Sequence, residues 1–453
     1  MSTIIRKTKS RCLKCGSIVP AAVIKKEGKV FLEKNCPEHN FTSLLISDNA
    51  SSYEDLERYY FTVMPDNARQ ESIEIAVTFR CNMDCPICAW GTNYRASMNN
   101  AGDPSLLEIR EFLKTNDTPV VRLSGGEATC REDLTEVIRM VKKMGKAVGI
   151  STNGLKIADF DYLKQLKEAG LDEIYLTLDG FDPDVEKFMR AKDYLPFKMR
   201  ALDNLKKLNI ITGLNMRILK GINEAEIPKI IDYVAKNSFI KLLNIGTVNW
   251  AGNASSWSLD KYLMPDQLID IVVDTSSGKL NRNAIRTFQK LLLAVNSFFS
   301  KRWCFYDAGN FLIIRQNGQY ESLEKHLDLQ ALEKVLNRYA VFYERNVLLA
   351  KLYLIFAGIG SIRFIKSKLF FKEILVKGLG FISGNRDFLK TDSFLFLLMH
   401  TACDSYKIDY GVSKNCMTTF AFKGTDGILR VQGNAAQVCE SLSDMGHCSR
   451  NDK

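Results

Sequence analysis

Between residues 73 and 250 the chain alternates between short apolar, β-branched runs and charged segments of helical period. The runs are IEIAVTF, PVVRLSG, KAVGIST, DEIYLTL, TGLNMRIL and LLNIGTV, with REDLTEVIRMVKKMG, ADFDYLKQLKEAG and EAEIPKIIDYVAKN among the segments between them. Short continuous apolar runs suit strands buried on both faces, whereas apolar residues spaced by three and four suit a helix with one dry face. Strands alternating with helices form parallel βαβ units. Six such strands predict an α/β fold, a partial (β/α)6 barrel of the TIM type, with its chemistry at the carboxyl ends of the strands.

The first run leads directly into FRCNMDCPICAW, which places Cys81, Cys85 and Cys88 at that end. The amino terminus is polar and basic and lacks a signal peptide's apolar core. No stretch of eighteen uninterrupted apolar residues suggests a membrane span. These features predict a cytoplasmic chain, where thiols stay reduced and clustered cysteines read as metal ligands. Three thiolates suit three irons of a four-iron cubane and leave the fourth iron open to a small molecule. The alternative is a zinc knuckle with its fourth ligand elsewhere, although structural zinc prefers paired C-x2-C elements and no histidine lies nearby. Arg80 or backbone amides are candidates to offset a cluster's negative charge.

A second thiol group precedes this one. Cys12, Cys15, Cys36 and His39 form C-x2-C…C-x2-H, the pattern of a mononuclear site for zinc or rubredoxin-like iron. AAVIKKEGKVFLEK between the halves reads as a hairpin turning at Glu27 and Gly28. SDNASSYEDLERYY reads as a linker entering a short helix. Farther on, residues 265–300 look helical, NFLIIRQNGQYESL looks like a hairpin, and 329–400 looks mostly helical. The expected domains are a metal ribbon (1–62), the α/β core (63–256) and a mostly helical carboxyl-terminal region (257–453).

C-x3-C-x2-C after the first strand of a barrel resembles the signature of radical S-adenosylmethionine (radical SAM) enzymes, and further segments follow in that family's order. LSGGEAT ends the second strand, and the resemblance implies that Gly125, Gly126 and Glu127 bind the methionine amino group. STNG, with Ser151 and Asn153, implies ribose contacts. LTLDG supplies Thr177 and Asp179, Arg190 follows on the next helix, and TVNWAG places Val248 near the adenine. Ile87 departs from the pattern, standing where many relatives carry an aromatic residue. The resemblance implies a [4Fe–4S] cluster whose open iron chelates the methionine part of S-adenosylmethionine. It also implies reductive cleavage to a 5′-deoxyadenosyl radical, with the protein left to orient the substrate and exclude side reactions.

The ribbon ending in CPEH, the radical core and the later cysteines together resemble, from about residue 10 to 430, the archaeal tetraether-lipid synthases and the related hydroxymethylpterin methyltransferases. That family's later segments supply auxiliary iron–sulfur ligands, which makes Cys304, Cys403 and Cys416 candidates for an auxiliary [4Fe–4S] cluster, with Cys439 or Cys448 as a fourth. Six cysteines lie outside the two amino-terminal sites, enough for one four-cysteine cluster and not two. The stretch VQGNAAQVCESLSDMGHCSRNDK departs from the family. Cys130 reads as a packed small residue.

The formal net charge of +10 is a mild basic excess that suits an anionic ligand or surface. Between Arg345 and Lys390 nine basic residues face two acidic ones, and IRFIKSKLFFKEILVKGLGF reads either as a basic amphipathic helix on a membrane or as a packed helix with a solvated basic face. The expected partners are a small-molecule or lipid substrate, a low-potential electron donor and a peripheral membrane contact, with no nucleic acid. The favoured activity is carbon–carbon bond formation on a membrane lipid chain. The alternatives are methylation or modification of a pterin-like or peptide substrate, or a non-catalytic iron–sulfur electron carrier. The GGE and STNG segments argue against a carrier, which has no need of a nucleoside pocket.

Overall fold

Two sheets organise the chain in the computed structural model, which describes residues 2–433 apart from 13, 92–94, 97–99, 101, 315–318, 361–393, 402–406, 415, 417 and 425. The first sheet is an antiparallel meander of β1 (Ser2–Arg11), β2 (Ile18–Lys26), β3 (Lys29–Cys36) and β4 (Asn40–Ser47). Its β2–β3 turn falls at Glu27 and Gly28, as the sequence implies, and both take positive φ (51° and 75°). A two-residue turn of this hand matches the twist of the strands it joins. Helix α1 (Ala50–Val63) starts where the Asn49 side chain accepts from Ser52 N at 3.0 Å. Its buried Tyr53, Leu56, Tyr60 and Val63 pack in one cluster with Val23, Val30 and Leu32 of the meander.

The second sheet begins with the expected alternation: β5 (Ser72–Thr78), α2 (Leu106–Lys114), β6 (Val120–Gly125), α3 (Leu134–Lys143), β7 (Ala147–Thr152), α4 (Phe160–Glu168), β8 (Glu173–Thr177), α5 (Pro183–Arg190), α6 (Leu195–Lys207), β9 (Ile211–Ile218), α7 (Glu226–Ala235) and β10 (Ile240–Thr247). These six strands are parallel neighbours in chain order. Leu134, Val137, Ile138 and Val141 form the dry stripe of α3 and share a core with Val121, Leu123, Val148 and Ile150 of the strands. Burying each such side chain contributes about 1.5–3 kcal/mol.

The opposite alternation is polar. Arg122 on β6 donates through Nη2 to the Tyr175 hydroxyl at 3.0 Å, and that hydroxyl donates to Glu173 at 3.2 Å. Burial raises the carboxyl of Glu74, the residue in register with Arg122. A buried ionic layer therefore fills the amino-terminal half of the inner face, and the carboxyl ends of the strands are left for the site.

Beyond the core come α8 (Pro265–Thr275), α9 (Arg282–Phe298), β11 (Asp307–Ile314), β12 (Tyr320–Ser322), α10 (Leu329–Arg345), α11 (Val347–Gly360), β13 (Phe394–His400), α12 (Tyr410–Ser413), β14 (Thr418–Lys423) and β15 (Leu429–Gly433). The hairpin read in NFLIIRQNGQYESL is β11–β12. This region adds five strands to its helices, and residues 394–400, expected to close a mostly helical stretch, form β13. Tertiary pairing decides this outcome, because β13 lies parallel to β10 and β14 parallel to β5. The full order is β12-β11-β13-β10-β9-β8-β7-β6-β5-β14-β15, an open sheet with eight parallel strands at its centre. Among the described residues it does not close into a barrel. The basic segment 362–381 lies outside the described residues. No helix among the described residues is long and apolar enough to cross a membrane.

The meander is tied to the distant carboxyl-terminal part. Arg6 on β1 donates to Glu57 at 2.8 Å and pairs with Asp409, and Thr8 donates to Asp409 at 2.6 Å. Asp409 also caps α12 by accepting from Gly411 N at 2.9 Å.

Candidate functional site

Cys81, Cys85 and Cys88 leave the carboxyl end of β5 on an irregular loop, as the sequence implies. Cys85 is buried, and Cys81 and Cys88 are half-buried. Neighbouring elements hold the loop from several sides. Gly126 N donates to Thr78 O at 2.8 Å and Glu127 N to Arg80 O at 2.9 Å, so the GGE segment runs along the exit of β5. A Cβ at Gly125 would collide with Thr78 O, and one at Gly126 with the carbonyl oxygens of Phe79 and Arg80. Gly125 also has φ of 125°, which only glycine adopts without strain. After β10, Asn253 donates from its backbone to Cys88 O at 3.0 Å and from Nδ2 to Cys85 O at 2.9 Å. Trp90 makes edge contacts with Phe79 at 5.5 Å and with Phe422 of β14 at 5.8 Å between centroids.

The sulfurs of the triplet are not brought within 4.8 Å of one another, whereas the ribbon donors are. A single tetrahedral zinc needs sulfurs about 3.8 Å apart, since Zn–S is about 2.3 Å. The triplet is not gathered in that way, and its spacing suits thiolates spread around a cluster. Burial pushes the Cys81 thiol up to about 12 and raises Cys85 as well, with Arg190 opposing it at Cys85. Thiols so desolvated become thiolates when a cation compensates them, and a cluster's irons supply that charge. The residues present fit a [4Fe–4S] cluster.

Two guanidinium groups attend the sulfurs, and neither belongs to Arg80. Arg80 pairs instead with Asp103 at 3.2 Å and is half exposed. Arg95 donates through Nη1 to Cys88 Sγ at 3.0 Å and through Nη2 to Asp84 at 3.1 Å. Arg190, at the end of α5, donates through Nε to Asp179 at 2.7 Å and faces Cys85. Burial works against the Arg190 charge, but Asp179 and Cys85 outweigh it and its pKa is raised. Behind Arg190 a fully buried Lys198 on α6 pairs with Glu186 at 2.6 Å.

The residues expected to hold the cofactor occupy this same rim, and several are already engaged. Glu127 is buried and accepts from Thr129 N at 3.2 Å, Thr129 Oγ1 at 2.6 Å, Thr152 Oγ1 at 2.7 Å and Asn153 N at 2.8 Å. It thus ties the ends of β6 and β7 together, and burial raises its pKa. Asp179 is fully buried, holding Arg190 and accepting from Arg217 N at 2.8 Å, so it stands behind the rim. Asn153 donates to Asn82 of the cluster loop at 2.8 Å. Ser151 and Thr177 are half-buried near the ends of β7 and β8, and Val248 is buried in one cluster with Cys85, Ile87 and Met189. Sequence reasoning passed over Arg95, Asn82, Asn253 and Lys198. Asn82 lies within one quoted segment and Asn253 directly follows another, but nothing in local spacing marks Arg95 or Lys198.

The ribbon donors converge as expected. Cys15 Sγ lies 3.7 Å from Cys36 Sγ, and His39 Nδ1 lies 3.7 Å from Cys12 Sγ and 3.6 Å from Cys36 Sγ. These are close to the edges of a tetrahedron about one zinc, roughly 3.8 Å for two sulfurs and 3.6 Å for sulfur and nitrogen. Of the cysteines expected at an auxiliary cluster, Cys403, Cys439 and Cys448 lie outside the described residues. Cys304 is buried beside Asp307 and His400, and Cys416 is not part of that group. Cys130 is half-buried at the end of a short 3-10 turn.

Residues 75–234 match the family described as the radical SAM superfamily, and residues 4–48 match the HMPTM N-terminal zinc ribbon domain. The chain is 30% identical over 308 residues to the 7,8-dihydro-6-hydroxymethylpterin dimethyltransferase of Methanocaldococcus jannaschii, a match covering 61% of this chain and 60% of that protein. It is 30% identical over 215 residues to the GTP 3′,8-cyclase of Aquifex aeolicus, covering 44% and 63% of the two. The crystal structure of SuiB from Streptococcus suis aligns with a TM-score of 0.36 and 14% identity over 49% of this chain and 48% of that one. The chain thus spans less than two thirds of the length of these curated relatives.

Proposed function

We propose that this chain, whose central domain belongs to the radical SAM superfamily, is an enzyme that generates a 5′-deoxyadenosyl radical and uses it at an unactivated carbon–hydrogen bond. The observation that carries this reading is the triplet Cys81, Cys85 and Cys88 at the carboxyl end of β5, held by the GGE segment, Asn253 and Arg95. When bound, a [4Fe–4S] cluster supplies the electron that cleaves S-adenosylmethionine. The chain's own residues do the rest. Cys81, Cys85 and Cys88 would hold the cluster, three thiolates for its four irons. Arg95 and Arg190 offset negative charge at the sulfurs. Gly125 and Gly126 let the GGE backbone lie against the exit of β5 that carries the thiols, and Asp179 orients Arg190. Val248 and Ile87 give the site a dry wall, which limits quenching of a radical by solvent.

For the substrate, we favour a long saturated chain, joined by carbon–carbon bond formation. This reading is supported by the exposed apolar residues of α11, including Leu348 at 66% and Phe356 at 69%, which suit a lipid surface. A second reading, methylation of a pterin-like ring, is favoured by the similarity to the dimethyltransferase.

Anaerobic reconstitution with iron, sulfide, dithionite and S-adenosylmethionine tests the activity. The expected product is 5′-deoxyadenosine, and a reducible cluster that yields none would leave the chain an electron carrier. Methyl-labelled S-adenosylmethionine separates the two substrate readings, because label enters the product only in methyl transfer.

A further inference from the structure

Asp307 on β11 and His400 on β13 are register partners, and His400 is in turn the register partner of Gly246 on β10. Gly246 is aligned with Arg217 on β9. Aligned residues of neighbouring strands share one face of a sheet. Arg217, Gly246, His400 and Asp307 therefore form a row across four strands, on the polar inner face and at the carboxyl end of β9 and β10. Gly246 leaves the space into which the Arg217 guanidinium leans, since a Cβ there would collide with Nη1.

Cys304 closes the group. Its carbonyl accepts from Asp307 N at 3.3 Å, and its thiol, the Asp307 carboxylate and the His400 imidazole lie within 4.8 Å of one another. Cys304 is 5% exposed and Asp307 1%, whereas the His400 side chain is 31% exposed, so the group opens on the histidine side. The Nδ1 atom of His400 is hydrogen-bonded to Asp307 Oδ1.

We propose that Cys304, Asp307 and His400 form a mononuclear site for a divalent metal of the zinc or iron(II) class, with no fourth protein ligand among the described residues and with Arg217 on the same face. Thiolate, imidazole and carboxylate together match the softness of these ions better than that of magnesium or calcium. Three protein ligands with one vacant position characterise zinc sites that bind an exchangeable oxygen ligand. Arg217 on the same face favours a negatively charged partner, so an exchangeable ligand of this metal would be an oxygen anion such as a carboxylate or phosphate group. The site stands independently of the cluster triplet and of the radical reading above.

The test is cobalt(II) titration of the full chain carrying Cys81→Ala, Cys85→Ala and Cys88→Ala, with acid-labile sulfide measured in parallel. The ribbon takes one equivalent, and a second equivalent is expected that His400→Ala and Cys304→Ala abolish and His39→Ala spares. Asp307→Asn keeps the side-chain shape and is expected to weaken the second equivalent tenfold or more. Its melting temperature and the retained ribbon absorbance show whether the chain has stayed folded. The same pair of sites is expected in the chain with an intact triplet, counted there as zinc. A single equivalent, removed only by ribbon substitutions, overturns the proposal. So does metal that arrives with sulfide and leaves with Cys304, since Cys304 would then serve an iron–sulfur cluster.

Discussion

The Arg95 guanidinium donates to Cys88 Sγ at 3.0 Å while its other nitrogen holds Asp84 at 3.1 Å, and the side chain is only 9% exposed. A buried donor on a ligand sulfur stabilises the more negative, reduced state of a cluster. Arg95→Leu is expected to lower the cluster's midpoint potential by on the order of 50 mV, given about 59 mV per tenfold change for one electron. EPR-monitored redox titration measures the shift. Iron content is expected to stay near that of the unsubstituted chain, since all three thiols remain.

Gly126 leaves no room for a methyl group, because backbone carbonyls of Phe79 and Arg80 occupy the space and cannot rotate away as a side chain would. Gly126→Ala is expected to displace the cluster loop and lower stability by about 1–3 kcal/mol. The informative readout is metal: iron at the triplet falls, while the metal held by Cys12, Cys15, Cys36 and His39 remains. Loss of both would show that the two sites are not separate.

Glu108 at the start of α2 accepts from Ser105 N at 2.7 Å and pairs with Lys423 of β14 at 2.9 Å. The Ser105 backbone donor, followed by Lys423, holds its carboxyl at about 2, below the ordinary 4.5. Between those values the unfolded chain binds the additional proton, so this contribution to stability is present above about pH 4.5 and is lost as pH falls toward 2. Glu108→Gln is expected to flatten that part of the acid dependence in melting curves recorded from pH 6 to 2.5. A slope equal to that of the parent would refute the assignment.

Asp409, 1% exposed in its side chain, is the carboxylate that Arg6 and Thr8 share. Removing one partner of a buried pair leaves the other uncompensated, and Asp409→Ala is expected to cost about 3 kcal/mol in urea denaturation. Lys187→Ala supplies the contrast. Its pair with Asp184 lies in solvent, at 56% and 87% exposure, and its loss is expected to change stability by less than about 0.5 kcal/mol.

The parts of this fold legible in the sequence are those set by local pattern. Each of the six core strands overlaps the apolar run that announced it, with starts within two residues, because the positions that face the helices are apolar in every one. The thiol groups were legible because their members are close in sequence. Strands β13 and β14 were not, because they form by pairing with strands more than 140 residues away in the chain. A run such as FLFLLMH does not say by itself whether it will be a helix or a strand. Arg95 and Lys198 escaped notice because a charge at a cluster's back is set by folding and not by spacing. His400 and Asp307 escaped for the same reason, being 93 residues apart and in contact.

The order of the large sheet has a consequence for how the chain comes to maturity. Its six founding strands emerge early during synthesis, yet both flanks stay raw until residues 394–423 arrive to pair with them. The same late strand brings Phe420 and Phe422 against Trp90, so the wall behind the cluster loop is the last to be put up. A nascent or shortened chain would expose two sticky borders at once, and aggregation of such fragments is the behaviour this architecture invites.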